Sequence, residues 1–246
     1  MTENIYRLPH QIVYYETDPT GKLSLGKLVD LMMLASYAQG KAVGMPEEKL
    51  NAQGHGWVIT QHLLSVTRLP RRDEKVVIET KATAYNRYFC YRDFWLRDEQ
   101  GEVLAQMHTA FVLLDLKTRK ITRITSDVIA PFGPEPLRSI ERLASPKRLE
   151  EVELAKDYRV RYFDIDSNHH VNNVHYIEWM LDVLDKDFLM EHEPVALNIK
   201  YEHELNYGQT CTSKVELLRS KDELTTLHEI YMADGTLSCS AQVTWR

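Results

Sequence analysis

Residues 164 to 173 read Asp-Ile-Asp-Ser-Asn-His-His-Val-Asn-Asn, which places Asp166, Asn168 and His170 at every second position. In an extended segment such positions share one side. A carboxylate, an amide and an imidazole on one side can orient one another, donate to a carbonyl oxygen and move a proton near neutral pH. Helical spacing follows from Asn173 to about Leu189. The start of a helix offers backbone N–H groups and a positive dipole end to an oxygen that gains negative charge. Acyl transfer or hydrolysis is the chemistry these parts can do. The plainer alternative is that Asp, Ser and Asn cap the helix and that His169 and His170 are surface residues. The second asparagine pair, Asn172-Asn173, and the downstream Tyr176 and Trp179 favour chemistry, because capping requires none of them.

The elements around this segment occur twice. A strand over 5–16, a turn at Asp18-Pro19-Thr20-Gly21 and a helix from Leu23 to Val43 precede strands near 57–69, 74–85, 87–98 and 103–116. Prolines 131, 134, 136 and 146 then mark a linker over 125–150, read as partly helical at 135–143. A strand near 154–163, the polar segment, a helix and strands near 195–205, 211–219, 223–232 and 236–245 complete the chain. Glu16 to Leu23 aligns with Asp164 to Val171, so Thr20 and Lys22 stand where the second copy has Asn168 and His170. Two copies of one α+β unit, 1–124 and 151–246, are therefore expected, with chemistry retained in the second.

A net charge of -6 over 246 residues argues against nucleic acid, which calls for a basic face, and leaves room for local basic patches. Cys90, Cys211 and Cys239 lie far apart, which suits a reducing, cytoplasmic compartment. No signal peptide and no run of 18 apolar residues is read. The histidines 169, 170, 175 and 203 lack metal-ligand spacing, and there is no Gly-rich phosphate loop, so neither metal nor cofactor is expected.

Asp164 to Trp179 resembles the signature of the acyl-acyl carrier protein thioesterases, the plant plastid enzymes and their bacterial relatives, D-x-D-x-N-x-H-V-N-N-x-x-Y-x-x-W. Gly56 to Thr60 and Tyr91 to Asp98 are similar to that family's first-half strands. The resemblance implies a tandem hotdog: two antiparallel sheets, each wrapped on a long helix, joined as a pseudo-dimer. It implies catalytic roles for Asp166, Asn168 and His170, with Glu204 as a fourth residue on the next strand and Arg68 as its degenerate first-half counterpart. Plant members carry a Cys after this Glu; here Leu205 excludes a cysteine nucleophile at that position, and Cys211, six residues further on, does not match it. Glu204 would then activate water, with attack by Glu204 itself as the alternative. The resemblance also implies a fatty acyl chain lying against the first half, near Met32, Met33, Leu34 and Met45. An acidic acyl carrier protein would be the partner, met by Arg68, Arg71 and Arg72 or by Arg142, Lys147 and Arg148. Rival readings are an acyl-CoA thioesterase, a hotdog hydratase or dehydratase, and a non-catalytic acyl-binding protein. A homodimer stays open. The absence of a transit segment favours a bacterial source.

Overall fold

The computed structural model describes residues 4–167, 169–220 and 223–246. In the first half, β1 (Tyr6–Gln11), α1 (Leu25–Ala42) and α2 (Glu47–Ala52) precede β2 (His55–Val66), β3 (Lys75–Tyr85), β4 (Phe89–Asp98) and β5 (Val103–Asp115). The short β6 (Lys120–Thr122), α3 (Ser126–Ile129) and β7 (Glu135–Pro136) follow. The second half contains β8 (Leu154–Arg159), α4 (Asn173–Leu181), α5 (Lys186–Glu191), β9 (Pro194–Tyr201), β10 (Thr210–Arg219), β11 (Leu224–Met232) and β12 (Leu237–Trp245).

All the long strands join one antiparallel sheet in the order β1-β3-β4-β5-β2-β9-β12-β11-β10-β8. The order is a palindrome of the two halves, with β2 and β9 forming the seam. Backbone hydrogen bonds repeat with it. Asp18 N–H donates to Lys22 O at 2.9 Å, and Asp166 N–H to His170 O at 3.0 Å. Leu23 N–H donates to Pro70 O, and Val171 N–H to Leu205 O. Thr67 and Arg68 both donate to Leu104 O, as Glu202 and His203 both donate to Ser238 O. These matches make Leu69 the counterpart of Glu204 and Arg68 that of His203, so the expected pairing of Arg68 with Glu204 is one residue out. They also make Leu63 the counterpart of Asn198, and these two residues pair across the seam. The pseudo-twofold axis therefore passes through that pair. The architecture is the tandem hotdog.

The helices lie together on one face of the sheet. Ser24 caps α1 by accepting from Lys27 N–H, and Leu25, Leu28, Val29, Leu31, Met32 and Ala35 bury the helix at helical spacing. Val174, Tyr176, Ile177, Trp179 and Met180 do the same for α4. Gly26 lets the two helices meet, since a Cβ there would lie 2.8 Å from Val174 Cγ1. The second helix is shorter than expected. It ends at Leu181, and Asp185 caps a new helix by accepting from Asp187 N–H.

The connection also differs from expectation. No helix forms over 135–143, where Glu135 and Pro136 pair beside β3 and Leu137 N–H donates to Tyr85 O. Proline at 134 and 136 favours an extended backbone before each ring. Helix forms earlier, at α3, and Val128, Ile129 and Phe132 pack with Met45, Leu50, Cys90 and Leu113 in a core cluster of the first half. Beyond it the chain is strapped to the sheet. Gln61 and Asn198 amides donate to Ala144 O, and the buried Glu216 carboxylate accepts from Glu150 and Glu151 N–H.

Candidate active site

The polar segment is not extended. Ile165 and Val171 pair as a bridge that closes a tight loop, and His169 takes φ +66° at its tip. Asp166 N–H reaches His170 O, and His169 N–H reaches Asp166 O, both at 3.0 Å. Asp166 and His170 nevertheless line the same cavity. Asn168 lies outside the described residues. The cap of α4 is Asn172, whose side chain accepts from Val174 N–H at 3.1 Å. The first asparagine of the pair is thus explained by capping. Because Val174 and His175 N–H both bond to Asn172, the helix start has less to offer an oxygen than its sequence position suggested.

Glu204 lies three residues past the end of β9, not within a strand. The paired donation of Glu202 and His203 to one carbonyl forms a bulge, which breaks the strand alternation that would have set Glu204 beside Glu202. Leu205, fully buried, anchors the turn. Its N–H donates to Tyr176 Oη at 2.9 Å, and its carbonyl accepts from Val171 N–H at 3.2 Å. One buried residue thereby ties Glu204 to both α4 and the His170 loop. Leu205 carries no nucleophile, and burial raises the Cys211 thiol to about 11, so neither position supplies a thiolate at neutral pH.

Glu204 Oε2 lies 3.3 Å from His170 Nε2. A third group arrives from the first half. Arg119, in the turn between β5 and β6, forms an ion pair with Glu204 Oε2 and places Nη2 3.2 Å from His170 Nε2. The sequence reading missed this arginine. Its only local signal is the turn Asp115-Leu116-Lys117-Thr118. Its nearness to residues 51 and 85 positions away comes from topology, because β9 runs out beside the start of β2, whose partner is the end of β5.

These groups stand at the mouth of a cavity of about 630 Å³ that reaches into the first half. Met33 and Tyr37 of α1, Trp57 and Ile59 of β2, and Phe111 and Phe132 are among its walls. Of the four residues expected beside a chain, Met33 and Met45 line it, Met32 belongs to the core and Leu34 is exposed. Arg92, also on the wall, is held by Gln39 and by Thr80 Oγ1 at 3.1 Å, and burial lowers it to about 10.

The first half's counterpart of this mouth carries neither the histidine nor the carboxylate. Lys22, in the His170 position, pairs with Glu193, Asp18 accepts from Thr20, and Leu69 replaces the carboxylate. Arg71 and Arg72 belong to this end, because Arg71 bridges Lys22 and Arg72 N–H donates to Gly21 O. Arg68 is engaged by Glu74 at 2.8 Å, and Arg148 by Glu229 at 2.5 Å. Lys117, Lys120 and Arg123 are exposed on the turn and short strand that carry Arg119 and Ile121, both of which line the cavity.

Among the described residues no group of three His, Cys, Asp or Glu is placed to hold a metal ion, and no helix is long and apolar enough to cross a membrane.

Residues 3–132 match the family model of the acyl-ACP thioesterase N-terminal domain, and residues 147–246 that of the C-terminal domain. A solved structure from Lactobacillus plantarum, assigned as an oleoyl thioesterase, is 40% identical, with 100% of this chain and 97% of that one covered at a TM-score of 0.96. The 12:0-ACP thioesterase of Umbellularia californica shares the fold at 21% identity and a TM-score of 0.86, with coverage of 100% and 98%. A chloroplastic dodecanoyl-[acyl-carrier-protein] hydrolase of Cinnamomum camphora is 23% identical over 98% of this chain and 68% of its own length.

Proposed function

Because the chain belongs to the acyl-ACP thioesterase family, we propose that it hydrolyses fatty acyl thioesters of acyl carrier protein, binding the chain in the first unit and cleaving in the second. The observation that carries this reading is the continuity of the apolar first-unit cavity with the His170–Glu204 pair at its mouth. An acyl chain laid in the cavity brings its thioester carbonyl to those two side chains. The cytoplasm is the compartment we propose for the reaction.

Glu204 acts as general base. It takes one proton from a water whose oxygen bonds to the carbonyl carbon, and His170 orients that water. The carbonyl oxygen becomes an oxyanion, for which Asn168 is the amide donor and Asp166 the residue that fixes the loop. Collapse of the tetrahedral intermediate breaks the carbon–sulfur bond. The leaving thiolate then receives the proton held by Glu204, giving free fatty acid and carrier thiol.

A hydrolysis assay over a chain-length series of carrier thioesters tests the reading with the wild type, His170→Ala and Glu204→Ala. Each methylene that still enters the cavity contributes about 0.8 kcal/mol, so kcat/KM rises roughly fourfold per carbon until the cavity is full. Loss of the base lowers kcat by about 10²- to 10⁴-fold. Thiol release that survives both substitutions, or a flat chain-length profile, would sink the assignment.

A further inference from the structure

His170 and Glu204 belong to the second unit, yet the group that touches both is carried by the first. Arg119 Nη2 bears two hydrogens and faces two acceptors, the Glu204 carboxylate and His170 Nε2, the latter at 3.2 Å. A guanidinium has no lone pair, so where Nη2 donates to His170 the Nε2 atom is the acceptor. In that arrangement the ring proton sits on Nδ1. One side chain therefore sets both the place of the carboxylate and the tautomer of the histidine.

The turn beneath Arg119 is built to hold it still. Asp115 Oδ1 accepts from Lys117 N–H at 3.0 Å, Thr118 N–H at 2.7 Å and Thr118 Oγ1 at 3.0 Å. Arg119 N–H closes the turn onto Asp115 O at 2.8 Å, and Leu116 N–H docks on Gly54 O at 2.9 Å. Arg119 itself takes φ +57°, in the left-handed region that a residue with a Cβ seldom occupies. The two side chains are equally exposed, 40% for Arg119 and 39% for Glu204, but Glu204 sits on a segment beyond its strand. Left to itself, such a carboxylate samples several rotamers, and a charge-assisted bond to a guanidinium carried on that ordered turn selects one.

We propose that Arg119 is a positioning residue of the reaction, by which the first unit holds Glu204 and His170 in register for water activation. The proposal rests on the thioesterase reading above. It makes the site composite, since a second unit standing alone would carry the catalytic side chains without the group that aligns them.

The test compares wild type, Arg119→Ala, Arg119→Lys and Glu204→Gln on one acyl carrier protein thioester, with Tm and the ring-nitrogen NMR shifts of His170 recorded for each. Misplacing a reacting group by about 1 Å costs roughly 10²-fold, so Arg119→Ala should lower kcat by about 10- to 100-fold while KM stays within about twofold. Tm should not change, and His170 should lose its preference for the Nδ1–H tautomer. Arg119→Lys should recover part of kcat, and millimolar guanidinium should restore Arg119→Ala but not Glu204→Gln. A defect confined to KM would overturn the proposal and make Arg119 a contact for the substrate's carrier arm. Full kcat in Arg119→Ala, beside a dead Glu204→Gln, would overturn it and leave the thioesterase reading standing. A wild type that cleaves no thioester would overturn that reading and the proposal with it.

Discussion

Replacing Tyr176 by Phe removes one oxygen and isolates the tether that aims Glu204. The ring stays, packed against Tyr201 at 5.6 Å and Trp179 at 5.8 Å between centroids, so no cavity opens. What is lost is the acceptor of the Leu205 N–H, 2.9 Å away in a fully buried position. A buried donor left without a partner costs about 1–3 kcal/mol. In a chain of this size each kcal/mol lowers Tm by about 2–4 °C, so Tyr176→Phe should melt roughly 2–12 °C below the wild type. The turn can recover part of that loss only by shifting until the N–H finds another acceptor, and such a shift carries Glu204 with it. An error of about 1 Å at the base costs roughly 10²-fold in rate. Steady-state hydrolysis of a carrier thioester, measured well below the lowered Tm, should therefore show a fall in kcat of up to that size. Thermal unfolding by circular dichroism supplies the second readout. A variant that melts with the wild type and turns over at the wild-type rate would refute the claim that the Leu205 clamp positions the carboxylate.

Charge reversal separates the two candidate docking patches. Lys117→Glu, Lys120→Glu and Arg123→Glu together should raise KM for carrier-bound substrate about tenfold at low salt and leave a carrier-free acyl thioester unaffected. Arg71→Glu with Arg72→Glu, at the Lys22 end, should leave both unchanged, and the opposite pattern would move the carrier to that end. The outer face of the sheet predicts a pH effect on stability. His108 bonds to Asp93, faces Glu141 at 3.6 Å and stacks on Tyr91, and the Asp93 bond holds its pKa above the ordinary 6.5 despite burial. A pKa raised by folding means that the stabilisation is complete below about pH 6.5 and fades as pH rises through the folded value. The gap in urea midpoint between wild type and His108→Gln should shrink between about pH 5.5 and pH 9, and a gap that stays constant or widens would rule the pair out as its source.

Local physics made much of this molecule readable. Alternation and turn residues placed all eight long strands, because a half-buried sheet enforces a period of two. Comparing Glu16–Leu23 with Asp164–Val171 found the repeat, which holds down to single backbone hydrogen bonds. What could not be read depends on departures from periodicity or on distant partners. The bulge at Glu202–His203 moves Glu204 off the strand, and no composition signals a bulge; that Leu69, not Arg68, is its counterpart shows only in the backbone hydrogen bonds the two copies share. The break after Leu181 was obscured by an apolar spacing that runs on through Val183, Leu184 and Phe188. Arg119 lies in an ordinary polar hairpin turn, and only the pairing of β2 with both β5 and β9 brings it to the site.

On the proposed function, the same seam gives a reason for one of the two equivalent ends to lack the histidine and the carboxylate. A catalytic mouth at one end needs a chain-sized space in the neighbouring unit, since each mouth opens across the β2–β9 boundary. The first unit provides that space. In the second unit, Trp245 packs against Phe188 at 5.1 Å and is almost fully buried. Those rings bury large apolar areas in the second unit's core. Among the described residues these rings pack where a fatty chain entering at the Lys22 end would need space, so on the proposed function a base there would have little to act on. Lys22 and Leu69 are then free to serve stability, one in an ion pair with Glu193 and the other in the core. In a homodimer of identical units a tryptophan that filled one chamber would fill both. Fusing two copies into one chain removes that constraint, so that aromatic packing can stabilise one unit while the other keeps an open cavity and lends Arg119 to its partner.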